Sequence, residues 1–314
     1  MNHLTRRCFL ARTTAAGVAA CGWACLPQNS LGKETALQYE IVPNWPTVPE
    51  DLALAGANGV SVDSKGRVYA AAGEDDAVLI FSPEGEFLGS WGSGVIEAKH
   101  ELRIYGDKVY VCDTKVHQVY EFTLDGKLLR AFGTRGQAGL GKKEFDQPTD
   151  IAFAANGDIY ITDGYGNSRV VCYSPEGEFK FAWGERGTNP GQFHYPHNIV
   201  IDKKQNIYIA DRGNNRIQVF DLKGTFVKQW RGLGKPFGLF LTSDEKLFVS
   251  DGNPDGPHRI LILDLEGRIL AAFGSKGEKP GQFDTPHSLC VDKDGNLYVS
   301  EVNNKRVDKF VPKG

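Results

Sequence analysis

The sequence lacks several features that would mark a functional class. Its formal net charge is −3, so it shows no strongly basic character of the kind that nucleic-acid binding requires. It contains no C-x-x-C pair and no H-E-x-x-H run, so no metal site is encoded by local spacing. Any metal site must therefore be assembled by the fold from residues far apart in the chain.

Cysteine is also scarce beyond the N-terminus. Three of the six cysteines lie within the first thirty residues. The others fall in predicted strands of different repeats, at Cys112, Cys172 and Cys290. An odd number of cysteines at apolar positions favours buried free thiols over a disulfide framework.

The N-terminal segment differs from the rest of the chain. Arg6 and Arg7 precede Phe9 and Leu10, followed by a small-residue and apolar run too short to span a membrane. This pattern predicts a twin-arginine export signal over residues 1–30. Either ordinary cleavage or a lipid anchor at Cys21 would follow, so we expect a periplasmic protein or a membrane-anchored lipoprotein.

From residue 57 onward the chain repeats a unit of short alternating strands that ends in a G-x-x-x-x-x-[FW]-G pattern. The copies centre on Tyr69, Tyr110, Tyr160, Tyr208, Phe248 and Tyr298. A period of about 40–50 residues with four strands per copy predicts the blades of a β-propeller. The sixth copy ends before a fourth strand, so we expect residues 36–46 to complete it and close the ring.

The hairpins DGYGNSRV, DRGNNRIQVF and EVNNKRVDKF are typical of NHL repeats. The chain resembles that family over residues 36–314, which implies an all-β, six-bladed β-propeller of NHL repeats. The repeated Asp, Asn and Arg residues have a structural explanation, because they form tight turns and brace neighbouring hairpins.

The first strand of each blade is expected to line the central channel. The residues that begin these strands are Asn58, His100, Thr149, His197, Phe237 and His287. At this strand-starting position, histidine therefore occurs only in blades two, four and six. These blades are separated from one another by about 120° in a six-fold ring. Three imidazoles around one point predict a zinc-type site with an open coordination position. His197 and His287 each follow a proline, and the alternative is that this Pro-His pair is only part of the repeat, with the rings hydrogen-bonded around a water-filled channel.

The remaining histidines of the propeller are weaker candidates for metal ligands. His117 lies in a predicted hairpin, His194 precedes a Pro-His pair, and His258 lies in a loop. We expect each of them to be solvated or to support the site from outside.

Three stretches of the chain, HEL, YPHNI and TPHSL, resemble the histidine motifs of the peptidyl-α-hydroxyglycine α-amidating lyases. This resemblance implies a catalytic zinc on His100, His197 and His287. It also implies that Tyr165 is catalytic and that Arg212 binds the substrate.

The sequence departs from the lyase pattern at three places. A first-blade arginine is replaced by Ala72 or nearby acids, and Thr285 stands where the family has methionine. Ser288 replaces the aspartate of a family calcium site, which makes calcium doubtful.

Three functions remain open at this stage. The first is an exported zinc lyase that cleaves a carbinolamide C–N bond in a small-molecule or peptide substrate. The second is a non-catalytic propeller that binds a protein, peptide or envelope polymer on its loop face. A lactonase is disfavoured because the six strand-starting positions contain no carboxylate. In each case we expect a monomer that does not bind nucleic acid.

Overall fold

The computed structural model describes residues 38–50, 52 and 54–313. The predicted export segment, including Cys21, lies outside the described residues. Helix in the described part of the chain is limited to one short 3-10 turn, Arg212–Asn214. No helix among those residues is long and apolar enough to cross a membrane.

The chain forms six four-stranded antiparallel sheets, as the repeat pattern predicted. Blade one contains β2–β5, which are Leu54–Val62, Val68–Gly73, Val78–Phe81 and Phe87–Trp91. Blade two contains β6–β9, which are Lys99–Tyr105, Lys108–Asp113, Gln118–Thr123 and Leu128–Phe132. Blade three contains β10–β13, which are Asp150–Phe153, Ile159–Asp163, Arg169–Tyr173 and Phe179–Trp183.

The later blades have the same order of strands. Blade four contains β14–β17, which are Pro196–Ile201, Ile207–Asp211, Arg216–Phe220 and Phe226–Arg231. Blade five contains β18–β21, which are Pro236–Leu241, Leu247–Asp251, Arg259–Leu263 and Ile269–Phe273. Blade six contains β22–β24, which are Pro286–Val291, Leu297–Glu301 and Arg306–Pro312, and its outer strand is β1, Tyr39–Ile41.

The N-terminal strand closes the ring. β1 pairs antiparallel with β24, so that Tyr39 lies opposite Pro312 and Ile41 lies opposite Phe310. β2 of blade one packs beside β22 of blade six. This arrangement confirms the predicted closure and leaves blade six with a full set of four strands.

The core lies between neighbouring blades, because each sheet buries both faces against the next one. Between blades four and five, for example, Tyr208 and Trp230 pack against Leu239 and Leu261. The three cysteines of the propeller are buried free thiols, as predicted: Cys112, Cys172 and Cys290.

The repeated arginines brace one blade against the loop that precedes it. Arg216 is fully buried, and its Nε donates to Asp211 Oδ2 at 2.6 Å. Its other donors reach three backbone carbonyls of the preceding loop: Thr188 at 2.8 Å, Asn189 at 3.0 Å and Gln192 at 2.8 Å. The Asp and Arg of the repeat thus have the structural role predicted for them.

Candidate metal centre

The three channel histidines begin the first strands of blades two, four and six. In blades four and six the strand pairing skips His197 and His287, and blade two has a similar irregularity around His100. Such a bulge leaves one residue unpaired and redirects its side chain. Each bulge here allows a histidine to point into the channel while the strand keeps its place in the sheet.

The structure brings these three imidazoles together. The ring centroids of His100 and His197 are 4.7 Å apart, those of His100 and His287 are 4.8 Å apart, and those of His197 and His287 are 4.6 Å apart. One ligand nitrogen from each ring lies within 4.8 Å of the other two. All three side chains are buried, with exposed fractions of 4% or less.

The odd-numbered blades orient the histidines of the even-numbered blades. The Nδ1 atom of His100 lies 2.8 Å from the carbonyl oxygen of Thr149, which has the equivalent position in blade three. His197 Nδ1 pairs in the same way with the Phe237 carbonyl at 2.9 Å, and His287 Nδ1 with the Asn58 carbonyl at 2.7 Å. A carbonyl oxygen can only accept, so each Nδ1 carries the proton and each Nε2 has a free lone pair.

The environment also keeps the three imidazoles neutral. Burial lowers the pKa of His100 to about 4, despite its hydrogen bond to the Thr149 carbonyl. Burial lowers the pKa of His197 well below its usual value, and Arg212 and the neighbouring imidazoles lower it further. Burial likewise lowers the pKa of His287, with a further contribution from His100. Three neutral, oriented imidazole nitrogens fit zinc, whose catalytic sites use three protein ligands and one open position.

Tyr165 lies directly against two of the histidines. Its hydroxyl is 3.0 Å from His100 Nε2 and 3.1 Å from His197 Nε2, and it accepts a hydrogen bond from Arg212 Nη1 at 3.2 Å. Burial raises the pKa of the Tyr165 hydroxyl, and the adjacent guanidinium opposes that shift. A group in this position can exchange a proton with a molecule bound at the three histidines.

Arg212 lies at the same place, surrounded by aromatic rings. Its Cζ atom is 4.7 Å from the ring centroid of Phe237, 5.0 Å from that of Tyr165 and 5.8 Å from that of Tyr195. Its Nε is buried and has no hydrogen-bond partner among the described residues. A buried, unsatisfied donor on a cation is suited to a carboxylate ligand.

A second ring of polar residues follows the strand-starting positions of blades two, three, four and six by one position, and only Ser288 among them had been singled out from the sequence. It contains Glu101, Asp150, Asn198 and Ser288, all buried. Glu101 and Asp150 thus bring two carboxylates to the channel, although the strand-starting positions have none. Glu101 turns inward because it lies in the bulge of blade two, where consecutive residues can face the same side, which a strict two-residue alternation does not predict.

This second ring does not fit a calcium ion. Ser288 donates its hydroxyl to Glu101 Oε1 at 2.8 Å, and Asn198 Nδ2 donates to Glu101 Oε2 at 2.9 Å. Both oxygens of Asp150 accept from Arg103, at 2.9 and 2.8 Å. Burial raises the pKa of Glu101 to about 8, with Arg103 acting in the opposite direction. The oxygens of Glu101 and Asp150 already accept hydrogen bonds from protein donors, and the positive charge beside them is that of Arg103.

The other histidines lie apart from the three. His117 Nδ1 accepts from the Gln147 backbone, and His194 Nε2 is 3.4 Å from Arg186. His258 is buried against the Phe283 carbonyl rather than solvated, because the loop that carries it packs on the next blade. Ala72 is fully buried in the hydrophobic core between blades six and one.

Comparisons with known proteins agree with this fold. A 6-bladed beta-propeller family model matches residues 144–231, and an NHL-repeat model matches residues 283–310. Human NHL repeat-containing protein 3 is 32% identical over 308 residues, which cover 87% of this chain and 84% of that protein. The solved structure of a streptogramin B lyase has a TM-score of 0.61 at 13% identity and covers 88% of this chain and 98% of that one, which shows a shared fold.

Two amidating enzymes are also similar in sequence. The mouse peptidyl-glycine alpha-amidating monooxygenase is 34% identical over 279 residues, which cover 81% of this chain and 28% of the monooxygenase. Peptidyl-alpha-hydroxyglycine alpha-amidating lyase 1 of Drosophila melanogaster is 30% identical over 265 residues, which cover 76% of this chain and 49% of the lyase. The chain therefore spans less than half the length of these two relatives.

Proposed function

Because this chain belongs to the NHL-repeat family of six-bladed β-propellers and is homologous to the amidating lyases, we propose that it is a zinc-dependent carbon–nitrogen lyase. Its substrate is a peptidyl-α-hydroxyglycine or a similar carbinolamide, and its products are an amide and glyoxylate. The observation that carries the proposal is the convergence of three Nε2 atoms whose rings are each fixed by an Nδ1–carbonyl hydrogen bond.

His100, His197 and His287 hold the metal in this proposal. When bound there, zinc supplies a Lewis acid that polarises the substrate hydroxyl and lowers its pKa. The burial of the three ligands excludes water from their side of the site, which strengthens every electrostatic interaction with the substrate. Neutral imidazoles also leave the full positive charge of the cation available to the reacting hydroxyl.

Tyr165 moves the proton. The substrate hydroxyl loses its proton as its oxygen becomes the aldehyde oxygen of glyoxylate, and the C–N bond breaks with its electron pair remaining on nitrogen. The departing amide nitrogen then takes up one proton, so the reaction needs no water and no external acid. The Tyr165 oxygen lies 3.0 Å from His100 Nε2 and accepts a hydrogen bond from Arg212, and ionised beside that positive charge it would take the hydroxyl proton as a phenolate and pass that proton to the amide nitrogen.

Arg212 orients the substrate. Its unpartnered Nε and its Nη groups can bind the carboxylate of the terminal hydroxyglycine beside Tyr165. With the carboxylate held there, the hydroxyl on the neighbouring carbon lies towards the three histidines. Positioning of this kind can supply several kcal/mol of the rate enhancement.

The test is release of glyoxylate from an α-hydroxyglycine peptide by the zinc-loaded protein. We expect turnover by the wild type and loss of both turnover and zinc in His197→Ala. His258→Ala removes an equally buried imidazole outside the metal group and should keep both. A zinc-loaded wild type that releases no glyoxylate would contradict the proposed reaction, and a wild type that binds no zinc would favour the non-catalytic binding function.

A further inference from the structure

The residues that directly follow the three histidines contact one another beneath the metal centre. Glu101 follows His100, Asn198 follows His197, and Ser288 follows His287. The Glu101 carboxylate accepts from Asn198 Nδ2 at 2.9 Å and from Ser288 Oγ at 2.8 Å. One side chain of blade two therefore links the histidine-bearing strands of all three even-numbered blades.

Three donors hold the two oxygens of the Glu101 carboxylate. Its Oε1 also accepts from the Leu102 backbone N–H at 3.0 Å, in addition to the Ser288 hydroxyl. Blade one makes room for it with a glycine, because a Cβ at Gly59 would lie 2.5 Å from Leu102 N and 3.0 Å from Glu101 Oε1. The side chain is only 1% exposed, so its position is set by these contacts and not by solvent.

Arg103 holds the same network from the other side. Its guanidinium binds Asp150 of blade three through two hydrogen bonds, and its Nη2 donates to Asn198 Oδ1 at 2.7 Å. The same Nη2 reaches the Leu239 carbonyl of blade five at 3.1 Å. Asn198 is thereby fixed in one orientation, with its oxygen towards Arg103 and its amide nitrogen towards Glu101.

We infer that Glu101 is a positioning residue that sets the spacing of the three metal-binding histidines. Its carboxylate, held through Asn198 by Arg103, joins the histidine-bearing strands across the channel. The inference rests on the proposed metal site, but the network it describes consists of protein groups alone. Residues that orient metal ligands affect the affinity for the metal, so a change in the positions of the three histidines should lower zinc affinity.

Glutamine cannot replace Glu101 in this network. If its amide nitrogen lies at the Oε2 position, it meets the donor Asn198 Nδ2, which Arg103 and the Leu239 N–H hold in place. If the amide nitrogen lies at the Oε1 position, it meets the donor Leu102 N–H. A protonated carboxyl avoids this conflict because a hydroxyl oxygen still accepts, whereas an amide nitrogen does not.

Three variants test the inference. Glu101→Gln introduces the donor conflict, and Ser288→Ala removes only the link to blade six. Glu121→Gln is the matched control, because Glu121 is also a buried glutamate of blade two but binds Lys108 and Arg130 away from the channel. Each protein is examined for zinc affinity, for the visible spectrum of its cobalt(II) form, and for the imidazole N–H resonances of the metal-free form.

We expect Glu101→Gln to lose zinc affinity by about 10- to 100-fold and to change the cobalt spectrum. In the metal-free protein it should shift the Nδ1–H resonances of His197 and His287, whereas Ser288→Ala should shift mainly that of His287. Glu121→Gln should leave all three measurements unchanged. Wild-type affinity, spectrum and resonances in Glu101→Gln would overturn the inference. If the wild type binds no zinc, the proposed function fails, and the resonances of the metal-free proteins still decide whether Glu101 positions the histidines.

Discussion

The hairpins within the blades repeat one set of contacts, whereas the positions that line the channel differ from blade to blade. Arg216 and Arg306 each bind an acidic residue five positions earlier and three carbonyls of the preceding loop. The strand-starting positions alternate instead between histidines and residues that offer them a backbone carbonyl. In a repeat protein the recurring residues thus maintain the fold, and the departures from recurrence form the site.

The largest effect is expected from a channel residue that does not bind the metal. Tyr165→Phe removes the hydroxyl that contacts His100 and His197 but keeps the aromatic ring. The turnover number should fall by about 10²- to 10⁴-fold, because a proton-transfer group is lost, while the zinc content stays unchanged. The measurement is steady-state glyoxylate release with parallel metal analysis.

Tyr173→Phe is the control for this comparison. Tyr173 is in the same blade, and its hydroxyl donates to the Lys142 carbonyl at 2.9 Å, away from the channel. The turnover number of the Tyr173→Phe variant should equal that of the wild type. Equal turnover in Tyr165→Phe and Tyr173→Phe would remove Tyr165 from the mechanism.

Substitution of a hairpin residue should lower the stability of the protein and leave its zinc content and turnover number unchanged. Arg216→Met removes the charge partner of Asp211 and the side-chain donor to the Thr188 and Asn189 carbonyls in a fully buried place. Breaking a buried ion pair from one side should lower the free energy of unfolding by about 3–5 kcal/mol. Chemical denaturation measures this loss, and the protein that remains folded should keep its zinc and its turnover number. Loss of zinc without loss of stability would contradict the separation of the two regions.

A smaller effect is expected at Arg212, which lies only four positions from Arg216 but faces the channel. Arg212→Gln should lower kcat/KM for a peptidyl-α-hydroxyglycine by about 10- to 100-fold, because a charged hydrogen bond to the carboxylate is lost. The same variant should show little change on the corresponding hydroxyglycine amide, which has no carboxylate. An equal loss on both substrates would show that Arg212 does not recognise the carboxylate.

Much of the fold was predictable from the sequence because each blade of the propeller is one copy of a sequence repeat. The aromatic spacing predicted the six blades, and the missing fourth strand of the last copy predicted the closing strand. The observed β1, Tyr39–Ile41, is shorter than the predicted segment of residues 36–46. Strand ends depend on local hydrogen bonds to β24, which the hydrophobic pattern does not specify.

The site was predictable only in part. The alternation of His100, His197 and His287 is visible because equivalent blade positions can be aligned. The acceptors of their Nδ1 protons are backbone carbonyls. Every residue has a backbone carbonyl, so the sequence does not show where these hydrogen bonds form. Glu101 and Arg103 could not be predicted as channel residues, because a bulge changes which residues of the strand face the channel. A two-residue alternation of apolar and polar residues does not show where a bulge lies.

Metal analysis of the purified protein tests the central claim most directly. Zinc should be present at about one equivalent per chain in the wild type, because three oriented imidazoles form a single site. It should be absent from His197→Ala and retained in His258→Ala. A folded wild type that holds no zinc, even after incubation with the metal, would contradict the account of the channel as a metal centre.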